Sequence, residues 1–288
     1  NFMLKIMKEQ ANNKKTYYIC PSSYYFKEWR KILKKSVLYI PHAINVRRLL
    51  CKVSKDVLID KYELSKDKIK ILLPSRLEMI QKRPYYILEA LNLLDKDSKD
   101  RFQVIFTGID TQYENNAKEL KRLSRKYKID SKFIIFDAIK EGYKVSDLVC
   151  IPSSSESFGY SALESLYLDK ITILSDIPTY NEFAKESNAI IFGSIVEELA
   201  LALKDIDNIS INKNTEKSNT KSPEIKNKLV SKNVSIIDAT CPRVTVSQNR
   251  VAEYSKEGYD VILSGDRGHA EVEGIKGFWE EFKRFINI

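Results

Sequence analysis

The chain has 288 residues, of which 43% are hydrophobic and 30% charged, and it carries a formal net charge of +9 at pH 7. This composition indicates a soluble globular protein with a substantial core, and it excludes a disordered chain. No apolar run approaches the roughly 20 residues that span a bilayer, and the opening NFMLKIMKEQ is too polar for a secretory signal. The first residue is Asn1 and not Met, so we expect the true N-terminus to lie upstream.

The basic residues and the cysteines are both spread along the chain. Dispersed lysines leave a nucleic-acid or anion-binding module open, but they favour a generally basic surface that suits small anionic ligands. The four cysteines, Cys20, Cys51, Cys150 and Cys241, form no CxxC pair. Their spacing predicts a reducing, cytoplasmic compartment and argues against both a disulfide framework and a self-contained zinc site.

Strand and helix patterns alternate in chain order. KTYYIC and SVLYIPHAIN predict strands on either side of the helical PSSYYFKEWRKILKK. Five further strands are predicted by KIKILLPSRLE, FQVIFTG, KFIIFDA, DLVCIPSS and KITILSD, with helices such as RPYYILEALNLL and YSALESLYL between them. The strands are near-continuous apolar runs joined by short connections. This pattern predicts an α/β fold, a Rossmann-like doubly wound parallel sheet with helices on both faces.

A polar segment then separates a second, smaller unit. Residues 205–226, DIDNISINKNTEKSNTKSPEIK, are rich in Asn, Ser and Lys and read as a linker. Beyond them VSIIDAT, PRVTVSQNRVAEYSKEG and YDVILSGD predict a small C-terminal βαβ unit.

The stretch IPSSSESFGYSALES contains two glutamates, Glu156 and Glu164, in the connection between a buried strand and the next helix. Ligands of parallel sheets bind at the loops that connect a strand to the next helix, and helix N-termini favour anions. Gly159 permits close backbone approach, and the amides of Tyr160, Ser161 and Ala162 are expected to face a phosphate or a sugar hydroxyl. Glu164, expected in the first turn or so of the helix, is equally explained by dipole complementation, so spacing alone leaves both interpretations open.

Two motifs together resemble the donor domain of GT-B glycosyltransferases of the glycogen-synthase-like group 1 type. They are PSSSESFGYSALES and, upstream, ILLPSRLEMIQKRPYYILEAL, and the likeness extends over roughly residues 16 to 200. In that family an Arg and a Lys clamp the diphosphate, which by position are Arg76 and Lys82. The resemblance further implies that Glu164 holds the ribose and Glu156 the donor sugar.

The same resemblance supplies the remaining donor-site assignments. Gly159, Tyr160 and Ser161 would offer backbone amides to sugar or phosphate, and the nucleobase would lie near Phe136 and Ala138. The implied reaction is hexosyl transfer from a nucleoside diphosphate sugar. The implied acceptor is an unidentified glycan or lipid, with no cofactor, no metal and no nucleic-acid partner. Peripheral membrane contact stays open.

Most of the acceptor domain of such an enzyme has no counterpart in this sequence. The resemblance therefore implies a chain that binds the donor but is inactive alone, and whether it is itself an enzyme is left open. His42, in IPHAIN, falls near the inter-domain connection and is expected to be structural.

Residues 222–278 resemble a different family, the middle of the iron–sulfur enzyme hydroxymethylbutenyl diphosphate reductase. The matching motifs are DATCP and HAEVEG, although the family usually has Pro where Ala270 stands. The resemblance implies that Cys241 is a cluster ligand, that His269 binds the diphosphate and that Glu271 delivers a proton. The other three cysteines match no ligand motif, so no iron–sulfur cluster is expected, and Cys241 would bind metal only if a cluster could assemble.

The two resemblances divide the chain into four predicted parts. Residues 1–50 are a remnant of a preceding domain and its connection, 51–204 the donor-binding domain, 205–226 a linker and 227–288 a partial reductase-like segment. A natural fusion, an assembly error and a deliberate chimera are all left open. Three functions follow: a donor domain, a reductase represented only by a fragment, and a basic anion- or nucleic-acid-binding module.

Overall fold

The structure is a computed structural model, and it describes residues 2–12, 16–42, 44–108, 110, 115–184, 187, 189–212, 236–237 and 260–262. The chain divides into two compact units, Asn1–Arg47 with Leu229–Ile288, and Arg48–Lys228. The boundaries of the four predicted parts stay a prediction. Within the described residues no helix has the length and apolar character needed to cross a membrane.

The elements are numbered in chain order. The N-terminal part of the first unit contains α1 (Phe2–Ala11), β1 (Thr16–Cys20), α2 (Ser23–Leu33), β2 (Val37–Tyr39) and β3 (Ile44–Asn45). The second unit contains α3 (Lys55–Lys61), β4 (Ile69–Leu73), α4 (Tyr85–Asn92), α5 (Lys96–Asp100), β5 (Phe102–Phe106), α6 (Asn116–Tyr127), β6 (Ser131–Phe133), α7 (Ile139–Val145), β7 (Leu148–Ile151), α8 (Tyr160–Tyr167), β8 (Ile171–Ser175), α9 (Pro178–Asn181), β9 (Ala189–Phe192) and α10 (Val196–Asn212). The first unit also includes β10 (Ile236–Ile237) and β11 (Asp260–Ile262).

In the first unit, strands from the two ends of the chain pair with one another. The parallel sheet has the order β11-β1-β2, and β3 pairs with β10. Both C-terminal strands fall within the predicted VSIIDAT and YDVILSGD strands, but their partners in the described part of the chain are N-terminal. The helix predicted between them lies outside the described residues.

The second unit is built on one six-stranded parallel sheet in the order β6-β5-β4-β7-β8-β9. The chain steps outward from β4 to β6, then returns to place β7 beside β4, in register at Ile71 and Leu148. This reversal makes the sheet doubly wound, and the crevice where such a sheet reverses is the usual ligand site. The predicted Rossmann-like α/β fold is confirmed.

Helices cover both faces of this sheet because consecutive side chains of its strands point to opposite sides. Ile71 and Leu73 of β4 belong to the core that includes α4, α6 and α10. Leu72, between them, lies on the α7 side, where its Cδ1 would be 3.4 Å from a Cβ at Gly142. All three leucine and isoleucine side chains are at most 1% exposed, which explains the continuous apolar run in the sequence.

Two elements differ from their predicted extents. β6 ends at Phe133, although KFIIFDA predicts a strand that continues five residues further, to Ala138. Its partner β5 ends at Phe106, whose carbonyl accepts from the Ile134 amide at 2.8 Å, so the ladder has nothing further to pair with. α10 runs into the predicted linker, because Leu203 and Ile206 still pack into the core.

Candidate functional site

Two loops meet at the point where the strand order reverses. We call residues 74–84, which follow β4, the β4 loop, and residues 152–159, which follow β7, the β7 loop. β4 and β7 are parallel neighbours, so their carboxyl ends open at the same edge of the sheet. Both motifs that the sequence singled out therefore occupy the expected ligand position of a doubly wound fold.

Hydrogen bonds join the two loops directly. The Ser154 amide donates to the Gln81 carbonyl at 2.7 Å, and the Gln81 side-chain amide donates to the Ser155 carbonyl at 3.0 Å. Arg83 donates from Nε to the Pro152 carbonyl at 2.8 Å. The loops thus form one ordered surface although they are far apart in the sequence.

Glu78 folds the β4 loop around its own carboxylate. The carboxylate accepts from the backbone amides of Ile80 at 2.7 Å, Gln81 at 2.6 Å and Lys82 at 3.2 Å. A carboxylate that accepts several amides holds a tight turn firmly, because each bond is charge-assisted. Glu78 thereby fixes the backbone from which the Lys82 side chain extends.

Lys82 and Glu156, predicted separately, are in direct contact. Lys82 Nζ lies 2.6 Å from Glu156 Oε1, and the two side chains are only 12% and 14% exposed. The Ser153 hydroxyl donates to the same carboxylate oxygen at 2.8 Å, and Thr179 donates to the Glu156 carbonyl at 2.6 Å. Glu156 is therefore held in place by its surroundings as well as by its charge.

Arg76 contrasts with Lys82 because it is exposed and forms no ion pair with a described residue. Its backbone passes close over the end of β5. A Cβ at Gly108 would lie 1.9 Å from the Ser75 carbonyl oxygen and 2.8 Å from Arg76 Cα. Only glycine fits there, so Gly108 sets the path of the β4 loop that carries the arginine.

Gly159 begins α8 in the left-handed region, with φ +88°. A Cβ at this position would lie 2.8 Å from Cε1 of Tyr180, so strain and lack of space both require glycine. The Ala162 amide donates to the Gly159 carbonyl at 3.1 Å and so does not face a ligand as the sequence predicted. The predicted amides of Ser161 and Tyr160 lie one and two positions before Ala162, in the first turn of α8.

Glu164 lies in the second turn of α8, whose first turn carries no acidic residue. Dipole complementation in the first turn therefore does not account for it, contrary to one sequence interpretation. Glu164 is half-buried, and Tyr143 donates to its Oε2 at 3.0 Å. Burial raises the pKa of Glu164, while the Tyr143 hydrogen bond and the charge of Arg48 oppose that rise.

The two residues predicted to lie near the nucleobase, Phe136 and Ala138, differ in their burial. Phe136 is 7% exposed and packs edge-on against Tyr62, with ring centroids 4.7 Å apart. A Cβ at Gly142 would lie 2.9 Å from the Phe136 ring, so the ring is also packed against α7. Ala138 is half-buried and precedes the first residue of α7. Any nucleobase contact in this region is thus expected from the backbone and not from the Phe136 ring.

No motif of the sequence identifies the residues that hold the predicted site residues in place. Glu78, Ser153 and Thr179 orient the loops, and Tyr143 holds Glu164. Tyr143 reads as one more apolar position of a short helix, since a pattern of buried residues does not reveal a hydroxyl's partner. The signal that could have found Glu78 is an acid just before the tight turn of a loop.

The reductase-like site residues Cys241, His269 and Glu271 lie outside the described residues. Among the described residues no group of three or more His, Cys, Asp or Glu is placed to hold a metal ion. Cys20 and Cys150 are buried free thiols, and burial raises the pKa of Cys20 to about 11.

His42, predicted to be structural, lies in the first unit and is half-buried. Burial lowers its pKa, which favours the neutral imidazole. Its structural role stays a prediction.

Solved structures of similar fold are glycosyltransferases and a sucrose-phosphate synthase. Anabaena HepE in complex with UDP and glucose is 15% identical, with a TM-score of 0.67 over 88% of this chain and 66% of that one. A glycosyltransferase from Rickettsia africae is 18% identical, with a TM-score of 0.60 over 76% of this chain and 58% of that one. Sucrose-phosphate synthase from Thermosynechococcus elongatus is 16% identical, with a TM-score of 0.64 and coverage of 83% and 58%. At these identities the likeness shows the fold alone, that of a GT-B half.

The curated relatives match a short C-terminal stretch. The 4-hydroxy-3-methylbut-2-enyl diphosphate reductase of Caldanaerobacter subterraneus is 48% identical over 59 residues, 20% of each chain. That of Clostridium acetobutylicum is 41% identical over 88 residues, 30% of this chain and 14% of that one. This chain thus spans about a fifth or less of these relatives, and the predicted reductase fragment is confirmed as a fragment.

Family models match both parts of the chain. The LytB protein family matches residues 200–286. The family described as glycosyl transferases group 1 matches residues 54–221, more than half of the chain, and includes both loops at the strand-order reversal. The protein therefore belongs to the group 1 glycosyl transferases.

Proposed function

We propose that the second unit is the domain that binds the nucleoside diphosphate sugar donor of a hexosyltransferase. The observation that carries this proposal is the contact between Lys82 and Glu156, residues 74 positions apart that meet at 2.6 Å where the strand order reverses. The pair joins two loops at the usual ligand crevice of a doubly wound sheet, and both of its side chains are largely shielded from water. A donor site needs a cation for the diphosphate and an acceptor for sugar hydroxyls within a few ångströms of each other.

The leaving group of the proposed reaction is a nucleoside diphosphate, and this crevice offers it positive charge. Arg76 is exposed and without an ion pair among the described residues, and Lys82 lies beside it in the same loop. The N-terminus of α8 adds backbone amides and the positive end of a helix dipole. Such groups stabilise the charge that develops on the departing diphosphate.

Glu164 and Glu156 bind the uncharged parts of the donor, the ribose and the transferred sugar. Oε2 of Glu164 accepts from Tyr143, and its other oxygen accepts no hydrogen bond from a described residue, which suits a ribose hydroxyl. Glu156 suits the hydroxyls of the transferred sugar. Its carboxylate is a hydrogen-bond acceptor that Lys82 and the Ser153 hydroxyl already hold in a defined position. When a diphosphate attracts Lys82, the carboxylate of Glu156 becomes available to the sugar.

Transfer itself is proposed to require more than this domain. The chain spans 58% of the Rickettsia glycosyltransferase and of the sucrose-phosphate synthase, which supports a missing acceptor-binding part. We propose a glycan or lipid acceptor and a cytoplasmic location, for which the free thiols Cys20, Cys51 and Cys150 offer support. Donor binding without efficient transfer is the expected behaviour of this chain alone.

A thermal-shift titration with UDP, GDP, ADP and their sugar conjugates tests the proposal. A ligand at 100 times its dissociation constant adds about 2.7 kcal/mol of stability, which moves the melting midpoint by a few degrees. Stabilisation by one nucleobase series is expected, and it identifies the base. A cooperative melt that no nucleotide shifts would contradict the proposed function.

A further inference from the structure

We propose that Tyr143 sets the preference of the donor site for ribose over 2′-deoxyribose, as a positioning residue that acts through Glu164. This inference rests on the proposed function, because it assigns a substrate class to the same site. It concerns a side chain that no motif of the sequence identifies.

The contact between the two side chains is well defined. The Tyr143 hydroxyl lies 3.0 Å from Glu164 Oε2 and 3.3 Å from the Ser161 carbonyl oxygen. A hydroxyl has one proton to donate, and the carboxylate is the closer and stronger acceptor. Tyr143 is 1% exposed and sits on α7, while Glu164 sits on α8, so a buried ring on one helix fixes a side chain on another.

This anchoring matters because a glutamate side chain is otherwise mobile. Fixing one costs rotamer entropy, which a ligand must supply if the protein has not done so. Tyr143 holds Oε2 before any ligand arrives and leaves the other oxygen without a donor among the described residues. A preorganised carboxylate oxygen accepts up to two hydroxyl donors, which matches the paired hydroxyls of a ribose.

The electrostatics of the pair support donation from Tyr143 to Glu164. Burial, reinforced by the charge of Glu164, keeps the pKa of Tyr143 well above its ordinary value, so the hydroxyl stays protonated. Tyr143 also opposes the rise that burial imposes on the pKa of Glu164, as does Arg48, while Tyr160 is the further titratable group that senses Glu164. Loss of the Tyr143 hydroxyl should therefore raise the pKa of Glu164 further and leave its carboxylate less ordered.

The test compares Tyr143→Phe with the wild-type chain by calorimetric titration of UDP, GDP and ADP, each beside its 2′-deoxy analogue. We expect the ribonucleotide that binds to lose about tenfold in affinity and its 2′-deoxy analogue to change by less than about twofold. Tyr127→Phe is the matched control, since it removes a hydroxyl from a half-buried tyrosine at the C-terminal end of α6, outside both loops and α8. The control should leave both affinities unchanged.

Other outcomes of this experiment would contradict either the role of Tyr143 or the proposed function. An unchanged ratio of ribose to deoxyribose affinity in Tyr143→Phe, or an equal loss for both sugars, would overturn the role of Tyr143 while leaving the donor site in place. Failure of every nucleotide to bind the wild-type chain would overturn the proposed function itself. If Tyr143→Phe does not fold, a crystal structure of the wild-type chain with the bound diphosphate decides. It should show Tyr143 on Glu164 and Glu164 on the ribose, and a ribose held elsewhere contradicts the inference.

Discussion

The two ends of the six-stranded sheet both carry lysines and acids, but they use them differently. At the amino ends of the strands Asp147 accepts from Lys55 and from the Lys70 amide at 2.8 Å. The Lys70 ammonium is almost fully buried and donates to the Lys68 carbonyl at 2.7 Å. Because the partners of Asp147 and Lys70 include backbone atoms of the sheet, these charged side chains are held in place whenever the sheet is folded.

At the carboxyl ends the charges have exchangeable partners. Lys82 pairs with Glu156, which is itself a candidate ligand-binding group, and Arg76 pairs with no described residue. The amino end also has a hollow of about 500 Å³, lined by residues such as Lys55 and Asp147. We infer from this comparison that charged side chains able to exchange one partner for a ligand are a better indicator of a ligand site than a cavity is.

The largest expected effect is the loss of nucleotide binding in the double variant Arg76→Ala with Lys82→Ala. Each cation contributes about 1.5–3 kcal/mol to a charge-assisted contact, so their joint removal should weaken diphosphate binding by at least about 100-fold. Calorimetric titration measures the affinity. The melting temperature of the double variant should fall by a few degrees, because Lys82→Ala leaves the largely buried Glu156 carboxylate without its cation, whereas Arg76→Ala alone should leave it unchanged.

The amino end supplies the control for that experiment. Lys55→Ala removes a partner of Asp147, whose pKa the Lys55 and Lys70 contacts hold below its ordinary value against the opposing effect of burial. The stabilisation from such a lowered pKa is present above the unfolded-state pKa and lost as pH falls. The variant should therefore melt earlier at neutral pH yet bind the nucleotide normally, and a loss of binding comparable to the double variant would break the comparison.

Gly159→Ala should produce the next largest effect, on folding and binding together. The new Cβ would lie 2.8 Å from the Tyr180 ring in a backbone with φ +88°, which together cost about 2 kcal/mol. Denaturant unfolding measures the loss. Gly193→Ala is the milder control, because its Cβ would meet the movable carboxylate of Glu198 at 2.6 Å. Equal costs at the two positions would contradict the role assigned to the Gly159 turn.

Glu156→Gln should change two affinities in opposite directions. Removing the charge that neutralises Lys82 should strengthen binding of the bare diphosphate by about fivefold or more, since the diphosphate no longer competes with a largely buried carboxylate for Lys82. The sugar conjugate should bind more weakly relative to the diphosphate because a carboxylate accepts from hydroxyls more strongly than an amide. Competition titrations measure both, and a shift of the same sign for both ligands would contradict the proposed exchange of Lys82.

The last effect is a pH dependence of stability at the amino end, which leaves nucleotide binding unchanged. Lys170 donates to the Ser146 carbonyl at 2.7 Å, and burial lowers its pKa from 10.5 to about 8. Between pH 8 and 10.5 the unfolded chain then binds more protons at this position than the folded one, so this lysine makes stability rise with pH. Across that window the wild type should gain stability relative to Lys170→Met in urea titrations, and a constant difference would contradict the burial of the charge.

The sequence indicated where the site residues lie but not what holds them. The order of strands and loops places Arg76 and Lys82 after one strand and Glu156 after another, because apolar runs and their ends are readable along the chain. The contact of Tyr143 with Glu164 joins two helices across 21 positions, and only helix packing decides it. The same reason explains the Phe136 ring, which the resemblance placed near the nucleobase and the structure packs against Tyr62.

Hydrogen–deuterium exchange of the chain with and without UDP, GDP or ADP tests the central claim most directly. If the carboxyl ends of β4 and β7 bind the donor, the nucleotide that stabilises the chain should slow exchange in the β4 loop, the β7 loop and the first turn of α8. Residues 55–70 at the amino end should exchange as before. Protection at the amino-end cavity, or unchanged exchange in both loops at a saturating nucleotide concentration, would contradict the account.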